Sequence, residues 1–264
     1  MKDRTERRPE ADNASDPKSP HVSRLMSHAA LVIFAKAPIP GQVKTRLCPP
    51  LTADEEATLH GSFVLDILER TKGAGAKLKL PLDRYLACAP SATHVFFKIM
   101  EERQGVKLMD QVGDDLGARM NQAFTTLFAQ RYRQVLLMGT DVPTLPLDHF
   151  KQALTSLEHH DLVLGPAFDG GYYLIGLKQT SPELFADIPW STDQVLRLTQ
   201  EKAARIGLKV SLIQPWRDVD TLADLEALIE ACTVESKKPK HERSFSGRTT
   251  GVLEVLAKRL RSRA

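Results

Sequence analysis

The chain has 264 residues, 42% of them hydrophobic and 26% charged, with a net charge of +3. That length can bury a sizeable core without a partner, and no apolar run approaches the roughly 20 residues needed to cross a bilayer, which excludes a helical membrane-spanning protein. Three scattered cysteines, Cys48, Cys88 and Cys232, show no CxxC or zinc-ligand spacing and predict buried free thiols in a reducing cytoplasm.

Residues 1–28 are polar and mixed in charge, lack the apolar segment of a secretory signal, and read as a disordered leader. From Ala29 to Cys232 short β-rich runs alternate with helical patterns. ALVIFA (Ala30 to Ala35) predicts a buried strand, and after a Pro/Gly loop Thr52 and Glu55 form a capping box for a helix running to about Arg70. RYLACA (Arg84 to Ala89) predicts a second strand, SATHVFFKIMEER a helix and GVKLMDQ a short third strand. Asp115 to Ala129 puts Leu116, Met120, Ala123, Phe124 and Leu127 on one helical face, and QVLLMGTD (Gln134 to Asp141) is the clearest buried strand. The helix LPLDHFKQALTSLEHH, the runs DLVLGPA and GGYYLIGL, a helix over about Thr192 to Ile206, the strand LKVSLIQ and a helix beginning TLADLEALIE complete the alternation. Strands separated by helices imply crossovers and a mostly parallel sheet covered on both faces, one α/β sandwich domain over 29–232. Residues 233–264 carry nine Lys/Arg against three Glu and form a basic tail, with an amphipathic helix expected over 250–262 from Val252, Leu253, Val255, Leu256 and Leu260. A solvated charge run is the simpler reading of this tail, and contact with an acidic partner is the other.

In such a sheet ligands gather at the carboxyl ends of the strands. That rule directs attention to four loops, KAPIPGQVKTR, GTDVPTLP, PAFDGGYY and WRDVDT. Gly41 with Lys44-Thr45 invites comparison with a P-loop, but Pro38 and Val43 stand where its glycines belong, and Pro38 and Pro40 lack the amides that cradle phosphate. What survives is a rigid loop presenting Lys36, Lys44 and Arg46, either a basic surface turn or a side-chain grip on an anion. Asp141 follows a buried strand, where a carboxylate either caps the next helix or binds a hard cation such as Mg²⁺ or Mn²⁺. Asp169 precedes Gly170 and Gly171, a stretch that is either an Asp-Gly hairpin turn or a backbone lying close to a ligand. Asp218 and Asp220 stand at a strand-to-helix junction before Thr221, an expected N-cap, for which either aspartate is an alternative. The ring pairs Tyr172/Tyr173 and Trp190/Trp216 read as core rather than as stacking platforms. No HExxH set and no Ser/His/Asp or Cys/His nucleophile pattern is visible.

Taken together, FAKAPIPGQVKTRL, GDDLGARM, LLMGTDVPTLP, GPAFDGGYYLIGL and DVDTLADL, spread from about Leu31 to Leu228, resemble the DUF2064 group of GT-A-like transferases. That group is also described as radical-SAM/selenodomain-associated transferase 1 or the arsenosugar biosynthesis glycosyltransferase family. The resemblance implies a three-layer α/β/α nucleotide-diphosphosugar transferase fold, with a more distant kinship to molybdenum-cofactor and 2-phospholactate guanylyltransferases. It further implies that Lys36, Lys44 and Arg46, with Ala35 and Gly139 beside them, hold nucleotide phosphates, and that Asp141 and Asp220 bind the metal. The Asp-x-Asp of glycosyltransferases is absent, because Gly139-Thr140 precede Asp141, so coordination needs Asp220 or Asp169 to complete it. The implied function is glycosyl transfer from a nucleotide-diphosphate sugar to a small-molecule acceptor with Mg²⁺ or Mn²⁺, with Asp169 the candidate general base and Gly170 and Gly171 against the substrate. Nucleotidyl transfer from a nucleoside triphosphate to a phosphorylated small molecule is the alternative, favoured by VKTRL and DVDT and disfavoured by the missing glycine-rich GxGTRM loop. A non-catalytic scaffold recruiting a partner through its basic tail is a third reading. Deleting residues 233–264 would abolish function under it and spare turnover under the other two.

Overall fold

The protein is described by a computed structural model over residues 29–78, 82–239 and 244–262; the expected leader lies outside the described residues. Strands β1 (Ala29–Lys36), β2 (Leu82–Ala89), β3 (Lys107–Asp110), β4 (Gln134–Met138), β5 (Leu162–Pro166), β6 (Tyr172–Leu177) and β7 (Val210–Leu212) form one sheet in the order β3-β2-β1-β4-β6-β5-β7. β1 lies parallel between β2 and β4, and β3 is parallel to β2. β1 is apolar through seven residues because both its faces are covered: Leu31 and Ile33 enter one core, Ala30 and Val32 the other. The first face packs against α1 (Ala53–Lys72), α3 (Val95–Gln104) and α5 (Leu147–His159), and the second against α4 (Leu116–Ala129) and α6 (Val195–Arg205). A short helix α2 (Ala74–Leu78) follows α1. The capping box expected at the start of α1 is present: Glu55 N donates to Thr52 Oγ1 at 3.3 Å, and Thr52 N to Glu55 Oε2 at 2.8 Å.

The sheet is mostly parallel, with one exception that the alternating pattern does not reveal. β6 runs antiparallel to both β4 and β5. Only residues 167–171 separate β5 from β6, too short a link for the helical crossover that a parallel pair requires.

Two further expectations change. Cys48 is exposed, while Cys88 and Cys232 are buried as anticipated; burial pushes the Cys88 thiol up to about 12 and leaves it unreactive. The boundary at Cys232 falls inside α7 (Leu222–Glu235), and the chain then ends in α8 (Gly247–Arg261). Leu253 and Leu256 of α8 are 1% and 2% exposed, and they join Leu59 and Phe63 of α1 and Leu225 of α7 in a third apolar cluster. Apolar residues at helical spacing do form one face, and that face is covered by the protein itself. Among the described residues no helix is long and apolar enough to cross a membrane.

Candidate active site

The chain builds β1, β2 and β3 outward in one direction and then returns to lay β4 on the other side of β1. Strand order therefore reverses between β1 and β4, and at the carboxyl end of such a reversal the loops diverge and leave a crevice. A cleft of about 640 Å³ occupies this position. Ala35, Lys36 and the loop carrying Lys44 and Arg46 line it from the end of β1, and Gly139, Thr140 and Asp141 from the end of β4. Asp169 enters from the β5–β6 turn and Asp220 from the segment before α7. Gly170 and Gly171 follow Asp169 in that turn.

Lys44 lies at the centre. It holds a left-handed backbone, φ 51° and ψ 29°, at the start of a 3-10 turn over Thr45–Leu47, and its side chain is only 4% exposed. Its ammonium lies 2.5 Å from Asp141 Oδ1 and 3.2 Å from Asp220 Oδ1, and donates to the carbonyl of Val219. Burial alone would lower the lysine pKa, but Asp141 and Asp220 outweigh it and hold the ammonium above its ordinary range. Arg46, two residues on, is largely exposed and reaches Asp220 only loosely, at 3.8 Å.

The carboxylates are not helix caps. α5 starts at Pro146 with no side-chain cap, so Asp141 does not serve it. At the start of α7 Thr221 accepts from Asp224 N, and Asp224 completes the box, so that neither Asp218 nor Asp220 is the capping carboxylate. Asp169, Asp218 and Asp220 each bring one oxygen within 4.8 Å of the others. Burial, with the charges of Asp169, Asp220 and Asp141 adding to it, pushes Asp218 up to about 6. The Asp-Gly turn is real as well: Gly171 N donates to Asp169 Oδ1 at 2.8 Å, fixing the carboxylate at an exposed hairpin tip. Gly170 has φ +88°, and a Cβ there would meet the carbonyl of Asp193 at 2.1 Å. The aromatic pairs pack into the two cores, as expected.

Three cleft residues are missed by the sequence reading. Gln111 follows β3 and its Nε2 donates to Ala35 O at 3.2 Å and Ala87 O at 2.9 Å, tying the ends of β1 and β2. A polar residue one step past a strand end is its only local signal. His60, buried on α1, shares a 3.0 Å hydrogen bond with Lys36 O; burial holds its imidazole below the ordinary range although Asp141 acts the other way. Arg119 lines the cleft from α4, its Nε donating to Gly113 O at 2.9 Å.

Known proteins share this architecture. A protein of Desulfovibrio desulfuricans G20, provisionally described as a nucleotide-diphospho-sugar transferase, is 33% identical with a TM-score of 0.76, over 90% of this chain and 98% of that one. A cytidylyltransferase of Leptospira borgpetersenii serovar Hardjo-bovis is 15% identical with a TM-score of 0.51, over 88% of this chain and 94% of that one, a likeness of fold alone. The 2-phospho-L-lactate guanylyltransferase of Methanocaldococcus infernus is 25% identical over 139 residues, which span 53% of this chain and 57% of that protein. The fold is thus that of nucleotide-diphospho-sugar and nucleotidyl transferases, and these relatives agree with the expected transferase class. The family model described as "Uncharacterized protein conserved in bacteria (DUF2064)" matches residues 75–192, and the chain belongs to that family.

Proposed function

We propose that the cleft transfers a glycosyl group from a nucleotide-diphosphate sugar to a small-molecule acceptor, with Mg²⁺ or Mn²⁺ held by Asp141 and Asp220. The observation that carries this reading is the meeting of a cationic loop, Lys36, Lys44 and Arg46, with Asp141, Asp169 and Asp220 in one cleft at the strand-order reversal. A diphosphate needs both kinds of group: cations to grip its charged oxygens, and carboxylates to share a divalent ion with it. The donor set suits such an ion, since Asp141 and Asp220 already place hard carboxylate oxygens on one cation, the Lys44 ammonium, at 2.5 and 3.2 Å, and Asp218 brings a further oxygen within 4.8 Å of Asp220. When bound, the ion supplies neutralisation of the charge that develops on the departing diphosphate. Arg46, exposed and loosely paired, is free to turn onto a phosphate. Asp169, oriented by the Gly171 amide, accepts the proton of the acceptor hydroxyl. Gly170 and Gly171 let the backbone come close to the substrate.

The resemblance to the Desulfovibrio protein supports a sugar donor. Nucleotidyl transfer is the second reading, favoured by the similarity to a guanylyltransferase and by the basic loop beside the aspartates. Thermal-shift binding of UDP-glucose, GDP-mannose, GTP and CTP, with and without Mn²⁺ and followed by product analysis, separates the two. Release of a nucleoside diphosphate supports glycosyl transfer, and pyrophosphate release from a triphosphate overturns it in favour of the second reading.

A further inference from the structure

The Lys44 side chain is more buried than a phosphate ligand waiting in an open cleft needs to be. It is 4% exposed, whereas Arg46 on the same loop is 60% exposed. Its ammonium has three oxygen partners, from Asp141, Asp220 and the Val219 carbonyl. Three oxygens around one cation is the beginning of a coordination shell, and two of them belong to the carboxylates assigned above to the divalent ion. The backbone at Lys44 holds a positive φ of 51°, a conformation uncommon for a non-glycine residue. Beneath it the Phe63 ring lies 5.9 Å away and forms an apolar floor.

We propose that Lys44 is the resident cation of this cleft, filling the place between Asp141 and Asp220 so that a divalent ion binds there only as the ammonium leaves. This rests on the reading of Asp141 and Asp220 as metal ligands. Two cations cannot share the same carboxylate oxygens at contact distance without strong repulsion. The departing ammonium remains tethered inside the cleft, where the phosphates of a bound nucleotide are its natural partners. Metal and nucleotide therefore assist one another: each makes room for, or receives, the lysine that the other displaces, and the coupling is reciprocal. In the absence of ligand the same lysine keeps two neighbouring aspartates from facing each other uncompensated.

The test is a Mn²⁺ titration without nucleotide, read by the electron paramagnetic resonance signal of free Mn²⁺, on the wild type, Lys44→Met, Asp141→Asn and Asp220→Asn. Lys44→Met should bind Mn²⁺ about 5- to 150-fold more tightly than the wild type. Equal or weaker binding by Lys44→Met overturns the proposal, and the metal reading stands if the aspartate variants have lost affinity. Unchanged binding by both aspartate variants overturns the metal reading and the proposal with it. A measurement on the unaltered protein guards against a misfolded variant: acetylation of Lys44, followed by mass spectrometry, should be slow without Mn²⁺ and accelerate when Mn²⁺ alone is saturating. Protection that persists with Mn²⁺ bound overturns the proposal.

Discussion

The amide of Val219 donates to the carbonyl of Asp141 at 2.9 Å, a backbone bond that joins the exit of β4 to the segment before α7. Through it Asp141 and Asp220, distant in sequence, come to share one lysine. Because the joint is made by main chain, Asp141→Asn should leave it intact and remove only the charge. We expect turnover to fall by about 100-fold or more, as when a group aimed at transition-state charge is removed. The Asp141 side chain is 39% exposed but its partner Lys44 is only 4% exposed and keeps Asp220 and the Val219 carbonyl, so the lost ion pair should cost about 1.5–3 kcal/mol, or about 3–12 °C in melting temperature. Product formation and a thermal melt on the same preparation check both; turnover within a few-fold of wild type would remove Asp141 from the mechanism.

Arg46 should behave differently. Its guanidinium touches Asp220 only at 3.8 Å and is otherwise exposed, so truncation sacrifices little in the free protein. A charge-assisted bond to a donor phosphate is worth about 1.5–3 kcal/mol. Arg46→Ala should therefore raise KM for the nucleotide about 10- to 100-fold, with a smaller effect on kcat. Steady-state kinetics against the nucleotide substrate reads the split. A loss confined to kcat would mean that Arg46 acts only in the transition state.

The β5–β6 turn offers a test of backbone geometry. At Gly170 a Cβ would collide with the Asp193 carbonyl at 2.1 Å, and φ +88° strains any side chain. Gly170→Ala should cost more than about 2 kcal/mol and disturb the neighbouring Asp169. Gly251 lies inside α8 with nothing within 4 Å of its would-be Cβ, so Gly251→Ala should stabilise by about 0.5–1 kcal/mol. Equal melting temperatures for the two variants would contradict the turn as described.

What the sequence reveals about this fold follows the range of the forces involved. The capping box at Thr52 and Glu55 is settled within four residues, and the strands around Ile33 and Leu136 by continuous apolar runs, so both are legible. The direction of β6 is harder to read, because Gly170 and Gly171 suit a hairpin and a ligand loop alike. His60 and Gln111 escape because each earns its place through a distant partner, the carbonyls of Lys36 and Ala35 respectively, and no local pattern encodes those meetings; Arg119, within GDDLGARM, bonds the nearby Gly113 carbonyl, a local contact that does not by itself point to the cleft. Lys44 was legible as a cation facing the cleft, but its three oxygen partners lie far along the chain.

Acid should weaken the protein through its buried histidines. His149 is 3% exposed, with its ring centre 5.0 Å from that of Trp216 and 6.0 Å from that of Tyr173. Burial lowers its pKa below the ordinary 6.5, while Asp148 and the Pro146 carbonyl act more weakly in the other direction. The unfolded chain therefore binds a proton near pH 6.5 that the folded chain refuses. Stability is fully present above that value and is lost as pH falls through it toward the lowered folded pKa, with a slope of at most about 1.4 kcal/mol per pH unit from this residue. His60, shifted in the same direction, adds to the slope. Denaturant melts at about pH 7.5 and about pH 5.5 should show His149→Phe losing less stability on acidification than wild type. An identical acid loss in the two proteins would locate the sensitivity elsewhere.

Under both transferase readings the tail is dispensable for turnover, and the packing of α8 predicts the reverse. Asp66 of α1 accepts from Ser246 Oγ at 2.6 Å and Thr249 Oγ1 at 2.5 Å, and lies 3.1 Å from the Arg248 guanidinium, so the start of α8 is bound to a carboxylate that is almost completely buried. Below that clamp Leu253 and Leu256 pack with Phe63, whose ring lies under Lys44 at the cleft. Leu253→Ala should cost about 2–5 kcal/mol, the range for emptying a buried leucine site. Deleting residues 245–264 should uncover the apolar face that Leu59 and Phe63 of α1 and Leu225 of α7 present to α8, lower the melting temperature sharply and abolish turnover by unfolding rather than by losing a recruited partner. The charged outer face serves as the control: Lys258 and Arg261 are exposed, so Lys258→Ala with Arg261→Ala should shift stability by no more than about 0.5 kcal/mol and leave turnover intact. A truncated chain that melts and turns over like the full one would show that α8 is an appendage after all.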